Sequence, residues 1–262
     1  MKSYLKLLQA RVKLLLREPL TLFFTIAFPS LFLLLMGSVF GGIGETMGAT
    51  NEGFSGAADA ADIASQFTYG VDRFVPALMG LLLGTLALNT IPVSTATNRE
   101  QGILRRFKAT PMPAWRWIAA EISAYFAIGL LSAGVLIAVG AFAFDVKFTG
   151  DWSQVCAGFT LSALSFMAFG YLVASLAPTA RAASVAGQLL YMPMIFVSGA
   201  TMPLSIMPDG LQAVSQWLPM THIVILMHDV WFGRGLPVLS VWVLVGILVV
   251  GGALSARLFR WE

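Results

Sequence analysis

Six stretches of the chain are free of Asp, Glu, Lys and Arg: Pro19–Gly44, Phe74–Asn98, Ile122–Phe144, Trp152–Ala180, Ala182–Pro208 and Gly235–Ala256. A helix crossing about 30 Å of hydrocarbon takes about 20 mostly apolar residues, so each stretch predicts a membrane-spanning helix. A seventh, Gly210–His228, is interrupted by Gln212, Ser215, Gln216, Pro219 and His222. It reads as the body of a re-entrant hairpin over residues 200–234, which a membrane protein tolerates where protein or water shields the backbone. The first stretch is too long for a cleaved signal segment, whose apolar part runs about 7–15 residues.

Between and before the spans the pattern turns amphipathic. At 100° per residue, Lys2, Lys6, Gln9, Lys13 and Arg17 share one flank, with Leu5, Leu8, Val12, Leu15 and Leu16 opposite. This predicts an interfacial helix over residues 1–18, with Pro19 turning the chain into the first span. Arg11 sits amid the apolar face, where it must reach headgroups or a partner. The segment Glu45–Asp72, with five acidic residues, predicts an outer loop, and "APTAR", ending at Arg181, a short inner turn. Residues 97–110 predict a short helix stopped by Pro111 and Pro113; Ile103, Leu104 and Phe107 share a face, ringed by Glu100, Arg105, Arg106 and Lys108. Such an island suits an anchor on anionic lipid, or an apolar knob with a charged rim on which a soluble partner docks.

Composition agrees with the pattern. The chain has 262 residues, 58% of them hydrophobic and 11% charged, with a mean hydropathy of +0.81, which excludes a soluble domain. With six spans, 13 basic residues fall on the side of the termini and three (Arg73, Lys147, Arg234) on the other. By the positive-inside rule both termini are then cytoplasmic.

Candidate chemistry is sparse. The single Cys156 excludes a disulfide framework, and none of the five lysines follows a glycine, so the chain has no P-loop. His222, His228 and Asp229 suggest a metal or hydrolase site, but His-Glu-x-x-His is absent and hydrogen bonding within the hairpin accounts for them as well. Asn89 and Gln188 are side-chain amides inside spans and need partners or water; with Thr90 and Tyr191 they are candidates for a solute path. Glu121, at the inner end of span three, suits an interfacial salt bridge. With no carboxylate inside the six stretches and no internal repeat, an ion-driven carrier lacks its usual features.

Four stretches carry a family likeness: "REP" at Arg17–Pro19, "RFVPALMG" at Arg73–Gly80, "NREQGILRRFKATPMP" at Asn98–Pro113, and "SGATMPLSIMPDGLQAVSQWLPMTH" at Ser198–His222. In order and spacing they resemble the membrane (permease) subunit of a bacterial type-2 ABC exporter, of the drug-efflux and daunorubicin-resistance kind. The resemblance implies an all-α integral membrane fold of six transmembrane helices in one domain, residues 1–262. It also implies a cytoplasmic coupling helix at residues 97–110 seated on an ATPase, with Arg99, Glu100, Gly102, Leu104, Arg105, Thr110 and Pro111 at matching positions and Phe107 as its knob. By the same resemblance, two permease subunits, identical or different, pair around a path bounded by spans two and five in the bacterial inner membrane. The resemblance further implies two separate ATP-binding subunits that carry ATP and Mg and drive alternating access, and it leads to the expectation of no cofactor on this chain, no enzymatic activity of its own and no nucleic-acid partner. The stretch "VSGATMPL", Val197–Leu204, departs from the Ser-Pro and aromatic pattern of polysaccharide exporters. The expected cargo is therefore hydrophobic or amphipathic: a drug, an antibiotic or a lipid-like molecule. A polysaccharide or glycolipid exporter, an ion-driven carrier or channel, and an intramembrane hydrolase are the alternatives.

Overall fold

The structure is a computed structural model that describes residues 9, 11–14, 17–49, 70–104, 114–201, 204 and 207–258. Among the described residues every regular element is a helix. Helix α1 (residues 19–49) joins Pro19–Leu22, a π-helical Phe23–Ala27 and Phe28–Ala49, and α2 (residues 70–100) joins Gly70–Gly84, a π-helical Thr85–Thr90 and Ile91–Glu100. There follow α3 (Ala114–Phe144), α4 (Trp152–Leu176), α5 (Ala180–Val197), α6 (Asp209–Ser215), α7 (Pro219–Trp231) and α8 (Val238–Leu258). Ahead of α1, Gln9 and Arg11 to Leu14 are helical, whereas Arg17 and Glu18, predicted in the same helix, form the turn and connection into α1; residues 1–8, 10, 15 and 16 lie outside the described residues.

Both π segments have one local cause. Each ends two residues before a proline, Pro29 in α1 and Pro92 in α2. A proline has no N–H for the carbonyl four residues back, and its ring collides with that carbonyl. Widening the preceding turn to i→i−5 bonding relieves the collision: Phe28 N–H bonds Phe23 O, and Ile91 N–H bonds Leu86 O.

Helix α2 forms the centre. Val75, Leu78, Leu82, Leu86, Leu88 and Ile91 are wholly buried, enclosed by α1, α3, α4, α5 and α7. Helix α4 lies along α8, where the Ser165 hydroxyl reaches the carbonyl oxygens of Leu161 and Leu244 at 2.7 and 2.8 Å, a cross-helix bond of the kind that joins helices in lipid. Large apolar side chains on the outside of α3, α5 and α8, among them Leu131, Leu189, Phe196 and Trp242, are exposed.

Among the described residues five helices are long and apolar enough to cross a membrane: residues Asp72–Glu100 of α2, Trp117–Phe144 of α3, then α4, α5 and α8; in α1 the apolar run is the shorter Phe23–Ser38. Among its described residues the segment read as a hairpin contains the two helices α6 and α7. The longer, α7, has 13 residues, about 20 Å at 1.5 Å per residue, too short to span. Its Ile223 and Val224 meet Gly80 of α2.

The two ends of the bundle are held by different contacts. At one end Lys147 N–H donates to Asp72 Oδ1 at 3.2 Å, and Phe148, Trp152 and Trp231 form a ring cluster with centroids 4.2 to 6.3 Å apart. Amphipathic aromatic side chains of this kind collect at membrane–water boundaries. Towards the other end Arg11 ion-pairs with Glu121 at 3.5 Å and covers the Trp117 ring at 4.8 Å, while the Tyr171 hydroxyl donates to the second carboxylate oxygen at 3.1 Å. The misfit arginine of the N-terminal helix and the lone acid of span three are each other's partner.

Candidate functional site

A cavity of about 730 Å³ lies between the start of α1, the π segment and following turns of α2, and α5. Asn89, Thr90, Gln188 and Tyr191, predicted from two separate spans, all line it, together with Thr85 and Ser184. The π segment of α2 contributes Thr85, Asn89 and Thr90, turning three polar side chains within six residues towards the same space.

Tyr191 is anchored at one wall. Its hydroxyl and that of Thr85 are 2.6 Å apart, and both reach the carbonyl oxygen of Leu81, at 3.0 and 3.1 Å. Each hydroxyl has one proton, so one donates to the carbonyl while the other donates to its neighbour. The ring fits because residue 84 is glycine: a Cβ there would come within 2.6 Å of Tyr191 Cε2.

Backbone contact also fixes α2 against its neighbours. A Cβ at Gly187 of α5 would collide with the carbonyl oxygen of Leu88, and one at Gly170 of α4 with that of Ala87. Pro92 has no N–H to offer Leu88, and the helix exposes this carbonyl where only a glycine on α5 allows approach. Close contact of small residues with a neighbouring backbone is how helices associate without a hydrophobic driving force.

The cavity reaches the start of the basic island, where Thr97, Asn98, Gln101 and Ile103 also line it. The Arg99 guanidinium donates to the carbonyl oxygen of Ala177, at the C-terminus of α4. The Glu100 carboxylate accepts the backbone N–H of Ala180, at the N-terminus of α5, at 2.8 Å. Each charge matches the helix end it touches, a cation on free carbonyls and an anion on free N–H groups. Gly102 closes α2 with φ of +67°, and Leu104 is wholly buried. Arg105, Phe107, Thr110 and Pro111 lie outside the described residues.

His222 has both ring nitrogens engaged. Nε2 lies 2.9 Å from the Gln216 carbonyl oxygen, which can only accept, so Nε2 carries the proton and, in the neutral ring, Nδ1 accepts from the Ser240 hydroxyl at 3.2 Å. His228 packs on the Phe232 ring and lies 3.8 Å from Asp229. Among the described residues no three His, Cys, Asp or Glu side chains converge on a metal position.

Comparison with known proteins identifies the family. The family model for the ABC-2 type transporter matches residues 3–232. The chain belongs to the ABC-2 type transporter family. Relatives of this ABC-2 chain include the probable multidrug ABC transporter permease YbhR of Escherichia coli, 25% identical over 71% of this chain and 51% of YbhR. The putative transport permease YvfS of Bacillus subtilis is 28% identical over 52% of this chain and 56% of its own. Nodulation protein J of Bradyrhizobium diazoefficiens is 35% identical over 37% of this chain and 38% of its own. The ABC-2 chain thus spans about half the length of the first two. It is a multi-pass membrane protein of the class that serves as the transport component of ABC transporters.

Sequence reasoning missed three features of the site: Thr85 as the partner of Tyr191, the in-chain partners of Arg99 and Glu100, and Glu18, which also lines the cavity. A proline two residues beyond a polar, span-embedded turn was the available signal for the π segment.

Proposed function

We propose that this chain is the permease subunit of an ATP-driven exporter, moving a hydrophobic or amphipathic molecule out of the cytoplasm or the inner leaflet through the cavity between α2 and α5. The observation that carries the reading is the joint position of cavity and island: Asn89, Thr90, Gln188 and Tyr191 share one space, and α2 runs from that space directly to Arg99 and Glu100. A push on the island would move the ends of α4 and α5 with it, because Arg99 and Glu100 grip both. The π turns of α1 and α2 offer points of bending beside the cavity.

In this reading α1 is the first of six spans and residues 1–18 lie along the inner face of the bacterial inner membrane, with both termini cytoplasmic. Residues 200–234 dip in from the outer side, and the coupling helix falls within residues 97–110, after the turn at Gly102. A second permease subunit closes the path, and two ATP-binding subunits supply ATP and Mg. The name of YbhR speaks for a drug-like cargo. Engagement of both His222 nitrogens by the fold speaks against hydrolysis there.

The test is reconstitution of the full chain in lipid nanodiscs with the ATP-binding subunit encoded beside it. The permease should raise that subunit's ATP turnover, and Phe107→Ala should abolish the rise while leaving the permease folded. Transport in vesicles without any ATP-binding subunit would sink the reading.

A further inference from the structure

The cavity is lined by a single described acid. Glu18, immediately before α1, shares its wall with Thr21, Phe24 and Phe28. No other lining residue among those described is charged; elsewhere the polar lining is neutral amide and hydroxyl, as at Asn98 and Gln101. Oxygen Oε2 of Glu18 accepts the Thr21 hydroxyl at 3.1 Å, an arrangement that holds the carboxylate beside the space. The Phe24 and Phe28 rings follow on the same side, 5.9 Å between centroids and inclined at 48°.

A carboxylate at the edge of a cavity whose other described lining residues are uncharged biases its occupant by charge. It draws in a cation and opposes an anion. Aromatic faces add to the same preference, because a ring's negative face attracts a cation while its surface accepts an apolar body. We infer that the cavity selects lipophilic cations, an onium or ammonium centre on an aromatic or alkyl body, and that Glu18 is the residue that sets this charge preference. The inference rests on the cavity being the cargo site of the exporter proposed above.

Tetraphenylphosphonium and tetraphenylborate are matched in size and opposite in charge, and triphenylphosphine oxide is a neutral relative. Equilibrium dialysis of each against the full chain in zwitterionic nanodiscs, corrected with empty nanodiscs, measures the preference. The chain should hold the phosphonium roughly tenfold more tightly than the borate, the scale of one well-placed ionic contact. Glu18→Asp should keep the preference, Glu18→Gln should remove it, and Glu18→Lys should reverse it; an unfolded protein cannot produce a reversal. Equal binding of the two ions by the unaltered chain, or a preference that survives Glu18→Gln, overturns the inference. Ser184→Trp fills the cavity and separates the two readings. If it expels the neutral probe while no charge preference exists, the cargo site stands and the cation selectivity falls. If all three probes still bind after Ser184→Trp, both fall.

Discussion

Glu100 accepts the backbone N–H of Ala180 at 2.8 Å, eighty positions along the chain. Beside it Arg99 takes the carbonyl oxygen of Ala177, so two consecutive residues of opposite charge hold the two helix ends that flank one inner turn. Removing the anion from the α5 N-terminus should cost about 0.5–2 kcal/mol. Glu100→Ala is therefore expected to lower the melting temperature modestly in detergent. It should also lower the ATP turnover stimulated in the reconstituted complex by more than the melting shift explains. Glu100→Gln, which keeps an acceptor oxygen, should fall between.

The Arg11–Glu121 pair is almost wholly enclosed, with the side chains 13% and 1% exposed. Breaking such a pair leaves an uncompensated buried charge and costs about 3–5 kcal/mol, whereas replacing both partners is much milder. Arg11→Met should strongly destabilise the chain, and Arg11→Met with Glu121→Gln should recover most of the loss, because the amide stays beside the Tyr171 hydroxyl. Thermal unfolding of the single and double variants measures the coupling. Equal destabilisation by both would show that packing, not charge, governs the site.

Tyr191 and Thr85 share one hydrogen-bond network on the Leu81 carbonyl. Tyr191→Phe should cost about 0.5–1.5 kcal/mol, the worth of one hydrogen bond, because Thr85 still donates to the Leu81 carbonyl; adding Thr85→Val, which removes that remaining bond, should cost about as much again. Melting curves of the two singles and the double would return this near-additivity, and a Tyr191→Phe cost equal to that of the double would refute it.

Gly187 touches the Leu88 carbonyl with no room for a Cβ. Gly187→Val is expected to push α5 from α2 and to destabilise by about 1–3 kcal/mol or more. It should also disturb the cavity that both helices line. Gly246→Val of α8, where a Cβ meets nothing within 4 Å, is the matched control and should leave melting unchanged.

What the sequence determined by itself is local. Hydrocarbon demands about 20 apolar residues in a row whatever the neighbours, so the uncharged stretches marked α2, α3, α4, α5 and α8 as span-length helices, and the polar interruptions of Gly210–His228 marked a shorter element, observed as α6 and α7. The amides Asn89 and Gln188 were conspicuous for the same reason, being polar where everything around them is not. Which helix faces which was decided only in three dimensions. On helices that are apolar all round, periodicity names no inner face. Pairings such as Arg11 with Glu121, Tyr191 with Thr85, and Arg99 with Ala177 join residues 78 to 110 positions apart. They depend on glycines that let backbones touch and on prolines that widen α1 and α2 beside the cavity. Those contacts are steric and long-range, so they exist only once the helices have met.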